Sequence, residues 1–421
     1  MASEQVTTLR DYQARAVRDV DSAWLTSRSV LLVLPTGAGK GTIAAHVLRE
    51  ETARGGRPLL LVHREEIVRD VARRVGGGDA ATLVGGVLDS PPGARVLCAS
   101  VQSLTSTRLE WDPTLILTDE AHHAVAATYR ALYARYPSLR HLGLTATPMR
   151  SDKVRLDETY DELVVGPSPA ELRDAGWLVP CDVVSPHAYA SVLSDDPAAA
   201  WRKWAGNRPT IVFTSTVDEA HALAARWPAS AAVISESTKG RADILQRFKA
   251  GELTTLINVH VLTEGTDLPN AEVCVLARGC GAPGTYLQMI GRVLRPSPGK
   301  KRALVIDLKG LVHAHGLPYE DRVYSLSGKP IRRADKALAL STCKHCFMVF
   351  QSGPLLCPHC HTAQPKPPPP KVKRQALGFN VASVPEEDKA RKWRNWVSRY
   401  PYRQAFMIYK NTFGHSPREV T

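Results

Sequence analysis

Short, almost uninterrupted apolar runs recur through the first part of this chain, separated by longer stretches of mixed pattern. They are "SVLLVL" (29–34), "PLLLVH" (58–63), "RVLCAS" (95–100), "LILTDE" (115–120) and "HLGLTA" (141–146). Runs that are apolar throughout, rather than alternating, predict strands buried on both faces of a parallel sheet, with helices between them. Polar or glycine residues follow each run, at the strand ends where open α/β sheets carry ligands. The pattern restarts near Val179 and continues to about Leu317, with "TIVFTS" (210–215), "TTLINV" (254–259), "EVCVLA" (272–277) and "ALVIDL" (303–308) as strands. The sequence therefore predicts two α/β domains of the same class, at 1–165 and 179–320. The polar stretch "GPSPAELRDAGWLVP" (166–180) joins them.

The pattern then changes. A cysteine-rich segment spans 338–363, and "QPKPPPPKVKR" (364–374) reads as a semi-rigid extended spacer. The tail, 375–421, has helical periodicity broken at Pro401. Trp393, Trp396 and Tyr400 share one helical face, as do Phe406, Tyr409 and Phe413. They suit either a packed pair of helices or a platform on which bases stack, beside Lys389, Arg391, Lys392 and Arg394.

A length of 421 residues accommodates two or three domains. No apolar run approaches the roughly 18–20 residues that a membrane helix needs, and the start lacks a signal-peptide pattern. The expectation is a cytoplasmic protein without a membrane partner. The net charge of +13 favours a polyanionic partner, nucleic acid first, over a basic protein with none. From Lys366 onward, 12 Lys/Arg face 4 Asp/Glu, so most of the excess lies in the tail.

The eight cysteines fall into two sets. Cys98, Cys181, Cys274 and Cys280 are scattered, and Cys98 and Cys274 read as reduced core residues. Cys343, Cys346, Cys357 and Cys360 form two CxxC pairs, the ligand spacing of a zinc ribbon. Four thiolates make a closed, structural site. His345, His359 and His361 lie beside the ligands and could substitute. The expectation is that replacing Cys357 and Cys360 with Ser releases the metal and unfolds the module while leaving the basal activity of the preceding domains largely intact.

Two stretches carry chemistry. "LPTGAGKGTI" (34–43) lies between a strand and a helix. Gly37 and Gly39 would let backbone amides turn around a phosphate, and Lys40 would reach its outer oxygens. Such loops place Ser or Thr after the Lys to hold magnesium, yet Gly41 stands there and Thr42 follows one residue late. In "LILTDEAHH" (115–123), Asp119 suits a magnesium ion held through water, and Glu120 suits the base that deprotonates an attacking water. A solvated helix start would also favour these acids.

The order of these stretches resembles that of a superfamily 2 helicase, over about residues 9–318. "LRDYQ" (9–13) looks like the adenine-reading segment, with Gln13 on the base edge. "PTGAGKG" resembles motif I, "LVHREE" motif Ia, "DEAH" motif II, "TATP" (145–148) motif III, "EGTDLP" (264–269) motif V and "QMIGRVLRP" (288–296) motif VI. The resemblance implies two tandem RecA-like domains closing on ATP and magnesium. Pro35, Thr36, Gly37, Ala38, Gly39, Lys40, Gly41, Thr42, Gly265 and Asp267 would line the nucleotide. Arg292 and Arg295 would be arginine fingers from the second domain.

A helicase core followed by a four-cysteine module and a basic tail is similar to the RadD family of bacterial DNA-repair proteins, with phage-borne homologues of the same layout. "ALVIDLKGLVHAHGLP" (303–318) and "YKNTFGHSP" (409–417) add to that likeness. It implies ATP-driven action on DNA in repair or recombination, and contact with single-strand-binding protein. An RNA helicase is one alternative. A DNA-binding scaffold whose ATPase is weakened by Gly41 is another; against it, a water or a shifted Thr42 can fill the missing ligand position. The Asp-x-Lys in "IDLK" (306–309) is also a nuclease signature, but a strand end accounts for it better.

Overall fold

The computed structural model describes residues 8–76, 78–107, 111–148, 155–186, 193–262, 267–327, 332–333, 339–364, 386–399 and 405–409. The chain divides into two compact units, Met1–Pro365 and Lys366–Thr421.

The first sheet arises from α1 (Asp11–Ala23), β1 (Ser29–Val33), α2 (Lys40–Ala53), β2 (Leu59–Val62), α3 (Glu65–Val75), β3 (Ala80–Val84), β4 (Val87–Asp89), β5 (Val96–Ser100), α4 (Val101–Ser106), β6 (Leu115–Asp119), α5 (Ala127–Tyr133), β7 (Arg140–Thr145) and β8 (Glu162–Val165). Its order is β4-β3-β5-β2-β6-β7-β1-β8, parallel except for β4, which returns antiparallel to β3. Every residue of β2 and β5 is buried, as expected of strands covered on both faces.

The second sheet arises from α6 (Pro169–Asp174), β9 (Cys181–Val184), α7 (Pro197–Trp204), β10 (Thr210–Phe213), α8 (Val217–Ala225), β11 (Ala231–Ile234), α9 (Arg241–Lys249), β12 (Thr255–Asn258), β13 (Val273–Leu276), α10 (Pro283–Gly291), β14 (Ala303–Asp307) and α11 (Leu311–His315). All its strands are parallel, in the order β11-β12-β10-β13-β14-β9.

The nine predicted strands are all present. Strands β3, β4, β8, β9 and β11 were not predicted. The side chains of β4 are exposed throughout and three of the four in β11 are half-buried, so neither offers a run of core residues. The joining stretch is also more ordered than its composition suggests. It contains α6, opened by a capping box in which Ser168 and Glu171 satisfy each other's backbone amides, with Pro169 in the first turn.

Beyond α11 come a short antiparallel pair, β15 (Arg322–Val323) with β16 (Arg332–Arg333), and a hairpin, β17 (Leu340–Thr342) with β18 (Val349–Gln351), inside the cysteine module. The module also packs onto the second domain. Met348 pairs antiparallel with Val184 at the end of β9, and the Ser185 amide donates to the Phe347 carbonyl at 2.9 Å. Cys343, Cys357, Met348 and Phe350 share one core with Val184, Trp201, Ile306 and Leu308. The module thus forms part of the second domain's hydrophobic core.

In the second unit, α12 (Glu386–Arg399) sets Trp393 and Trp396 edge-on to Tyr409, with ring centroids 5.6 and 6.3 Å apart. Ala405 and Tyr409 are buried there, so one face of these aromatics packs, as expected of a packed pair. Tyr400 and Phe413 lie outside the described residues. Among the described residues, no helix is long and apolar enough to cross a membrane.

Candidate active site

The site begins where the chain leaves β1. Gly37 and Gly39 adopt φ of 92° and 78°, conformations that side-chain-bearing residues avoid. A Cβ on Gly39 would also come within 2.5 Å of Gln13 Nε2. Helix α2 then starts at Lys40 with the left-handed Gly39 as its cap and no side chain bonding its first amides. Those amides and the helix dipole give the loop a positive face suited to phosphate.

Lys40 is buried, and burial lowers its pKa below the usual lysine value. Glu120 and Asp119 oppose that shift, while Arg292 and Arg295 add to it. Charges from both domains therefore act on one ammonium group.

Asp119 ends β6, and Glu120 follows in the left-handed region at φ 46° and ψ 50°. A non-glycine residue held there carries strain of about 1 kcal/mol or more, a cost often found at functional sites. The strained turn leaves Glu120 buried on the cavity wall. Glu120 Oε2 lies 3.4 Å from His122 Nδ1, which lies 3.2 Å from Thr145 Oγ1. Thr145 Oγ1 donates to the Thr147 carbonyl and accepts from the Thr147 amide. The acid is thereby linked to the "TATP" segment at the end of β7.

The second domain presents the C-terminal end of α10. Here Gly291 is needed for close approach, since a Cβ on it would sit 2.4 Å from Thr36 Cβ in the phosphate loop. Arg292 is buried, and Arg295 forms an ion pair with Asp267. Lys300 Nζ donates to the carbonyls of Pro269, Ala271 and Arg295 at 3.2, 2.6 and 2.8 Å. It ties the loop bearing Asp267 to the segment bearing Arg295.

A cavity of about 300 Å³ lies between these elements. Its walls include Thr36, Gly37, Gly39, Lys40, Gly41, Thr42, Asp119, Glu120, Asp267, Arg292 and Arg295. Three of the expected nucleotide residues do not line this cavity. Gln13 is buried, its Nε2 donating to the Ala38 carbonyl and its Oε1 accepting from the Arg10 amide, so it braces the loop from beneath. Ala38 is buried too, and also accepts from Tyr12 Oη at 2.9 Å. Pro35 lines a separate small hollow with Leu178 and Leu294. Gly265 lies outside the described residues.

The structure adds cavity residues that sequence reasoning missed. Arg10 lines the cavity with its guanidinium 4.1 Å from the Trp177 ring centroid. Asp70 and Arg74 of α3 line it as well. In the sequence "RDVARRV" these two read as a charged, solvated helix face, and only the placement of α3 against α2 reveals them.

Asp307 is buried and accepts hydrogen bonds from the Lys309 and Val312 amides, closing the start of α11. The Asp-x-Lys signature is therefore a helix start. At the cysteine module, the four Sγ atoms of Cys343, Cys346, Cys357 and Cys360 all lie within 4.8 Å of one another. The His345 and His359 amides point at Cys343 and Cys357 Sγ, each at 3.4 Å. Converging thiolates steadied by backbone amides fit a tetrahedral zinc ion.

Residues 7–150 match the family described as type III restriction enzyme, res subunit, and residues 200–297 match the helicase conserved C-terminal domain. The chain is 26% identical to a 51.5 kDa protein of Lactococcus phage (isolate 7-9), over 77% of this chain and 76% of that one. It is 24% identical to the DNA 3'-5' translocase XPB2 of Sulfurisphaera tokodaii, over 71% of this chain and 81% of that one. A fragment of a putative HsdR subunit of a type I restriction enzyme from Vibrio vulnificus YJ016 shares the fold, with a TM-score of 0.59 at 22% identity. That match covers 76% of this chain and 67% of the fragment.

Proposed function

Given that the chain is an ATP-hydrolysing member of superfamily 2 of the helicases, we propose that it uses ATP to translocate along DNA or unwind it. The observation that carries this reading is the shared cavity. Lys40, Asp119 and Glu120 of one sheet face Arg292 and Arg295 of the other. Neither domain alone has the full set, so hydrolysis is tied to how the two domains meet.

In this reading Lys40 and the α2 amides bind the β- and γ-phosphates. Asp119 would hold magnesium, which neutralises phosphate charge. Glu120 orients the attacking water and takes its proton. Arg292 and Arg295 stabilise charge on the transferred phosphoryl group. The four cysteines would hold one zinc ion as a structural element.

DNA as the track is supported by the net charge, by the basic tail and by the translocase relative. The finer reading is a cytoplasmic RadD-like role in repair or recombination, with contact to single-strand-binding protein. It is supported by the succession of helicase core, cysteine module and basic tail, and a pull-down with purified single-strand-binding protein tests the contact. ATPase titrations with single-stranded, duplex and forked DNA, against RNA, test the substrate. Stimulation by RNA alone would replace this reading with an RNA helicase. Deleting residues 371–421 should weaken DNA binding and flatten its salt dependence, because the tail's charges would neutralise phosphates.

A further inference from the structure

Residue 41 stands where a phosphate loop ordinarily carries a hydroxyl, and α3 supplies what stands beside it. A Cβ on Gly41 would have Arg74 Nε as its neighbour, 3.9 Å away. That is ordinary van der Waals contact, but a Ser or Thr hydroxyl in the rotamer directed at α3 would contend with the guanidinium for the same space. Arg74 Nη1 reaches towards Thr42 Oγ1, at 3.5 Å. Its Nε donates to Asp70 Oδ2 at 2.8 Å, which fixes the guanidinium from the α3 side. Arg74 lines the same cavity as Lys40, Asp119 and Arg295. Its side chain is 37% exposed, so a ligand in the cavity can touch it. A pair this exposed contributes only about 0–1 kcal/mol to stability, so holding the fold does not account for the placement.

We propose that Arg74 is a phosphate-contacting residue of the nucleotide site, admitted to it because residue 41 is glycine. The inference rests on the ATP-binding reading above and names its ligand class, the polyphosphate of a nucleoside triphosphate. A guanidinium held at one edge by a carboxylate offers its remaining planar donors to phosphate oxygens. It supplies positive charge directly, where a hydroxyl would act through magnesium. Gly41 is then part of a working site of altered design.

The test is a double-mutant cycle read by calorimetric titration with ATP and with inorganic tripolyphosphate. Arg74→Ala should weaken both ligands by about tenfold, the loss expected of one charged hydrogen-bonding contact. Gly41→Thr should weaken both comparably, by displacing Arg74. Gly41→Thr added to Arg74→Ala should cause no further loss, because the two act through one interaction. Arg74→Gln repeats the measurement with side-chain length kept, which guards against loosening of α3. Unchanged affinity in both Arg74 variants, additive losses in the double variant, or a loss confined to ATP would each overturn the assignment. Lys40→Ala separates this failure from a failure of the function. If Lys40→Ala loses ATP and the Arg74 variants do not, only the role of Arg74 falls. If Lys40→Ala also retains ATP, the nucleotide reading itself falls.

Discussion

Aligned by strand order, β3-β5-β2-β6-β7-β1 of the first sheet corresponds to β11-β12-β10-β13-β14-β9 of the second, so β1 and β9 occupy the same place. The two strands are used in opposite ways. The far side of β1 is covered by a further parallel strand, β8, and its end opens into the glycine loop. The end of β9 is bridged instead by Met348 of the cysteine module, and Ser185 continues that contact.

Several helix starts differ in the same sense. Helix α2 begins on a left-handed glycine with no side-chain cap. Helices α7, α8 and α11 are closed by Asp196, by the Thr216–Glu219 capping box and by Asp307. The first amides of any helix need partners. Where the chain's own side chains supply them, no room remains for phosphate. Helices α9 and α10 also begin without a side-chain cap, so what sets α2 apart is that its open start faces the cavity, to which the other sheet contributes arginines from the end of α10.

The largest test of this division is chemical. Glu120→Gln and Arg292→Ala should each abolish most hydrolysis, with Arg292→Ala lowering kcat by about 10³–10⁵ by analogy with other arginine fingers. Glu120→Gln should still bind ATP, since the lost group acts on water. Wild-type turnover in Arg292→Ala would mean Arg292 contributes nothing to the chemistry.

Gly291→Ala comes next in size. The new Cβ would press on Thr36 and hold the two sheets apart, for a loss of roughly 10² in kcat with little change in the melting of either domain. Steady-state ATPase and calorimetry read the two effects separately.

The cysteine module should matter through stability. Cys357→Ser should release the metal and strip cover from Met348 and Phe350, destabilising the second domain by about 3 kcal/mol or more. Thermal denaturation with parallel zinc analysis checks this. A second domain that melts unchanged without metal would mean that the module's packing adds nothing to its stability.

The smallest effect is expected at Thr216→Ala. Losing that cap should cost about 1 kcal/mol of stability in the second domain and leave kcat alone. A fall in kcat there would mean that the helix starts of the second sheet are not purely structural.

Much of this was legible along the chain. The predicted strands are almost wholly buried runs such as "LLLV" and "LILTD", and a run of that kind announces itself without a partner. The phosphate loop, the acid pair and the four cysteines are likewise local spellings. What failed to show were elements with weak patterns of their own. β4 is exposed, β11 is largely half-buried, and α6 hid inside a polar stretch although its capping box was written there as Ser168 and Glu171. Position alone suggests the base edge for Gln13; that its amide also bonds Ala38 and Arg10 is shown only by its three-dimensional neighbours.

The sequence by itself determined the two-sheet plan, the loop, the carboxylates, the arginines and the thiolate set, because each depends on residues close together in the chain. Only the tertiary structure decided which of them meet. It seated Arg74 beside Gly41, pressed Gly291 against Thr36 and joined Met348 to Val184. Those pairings depend on how whole faces pack, and a helix face that reads as solvated carries no mark of the neighbour it will find.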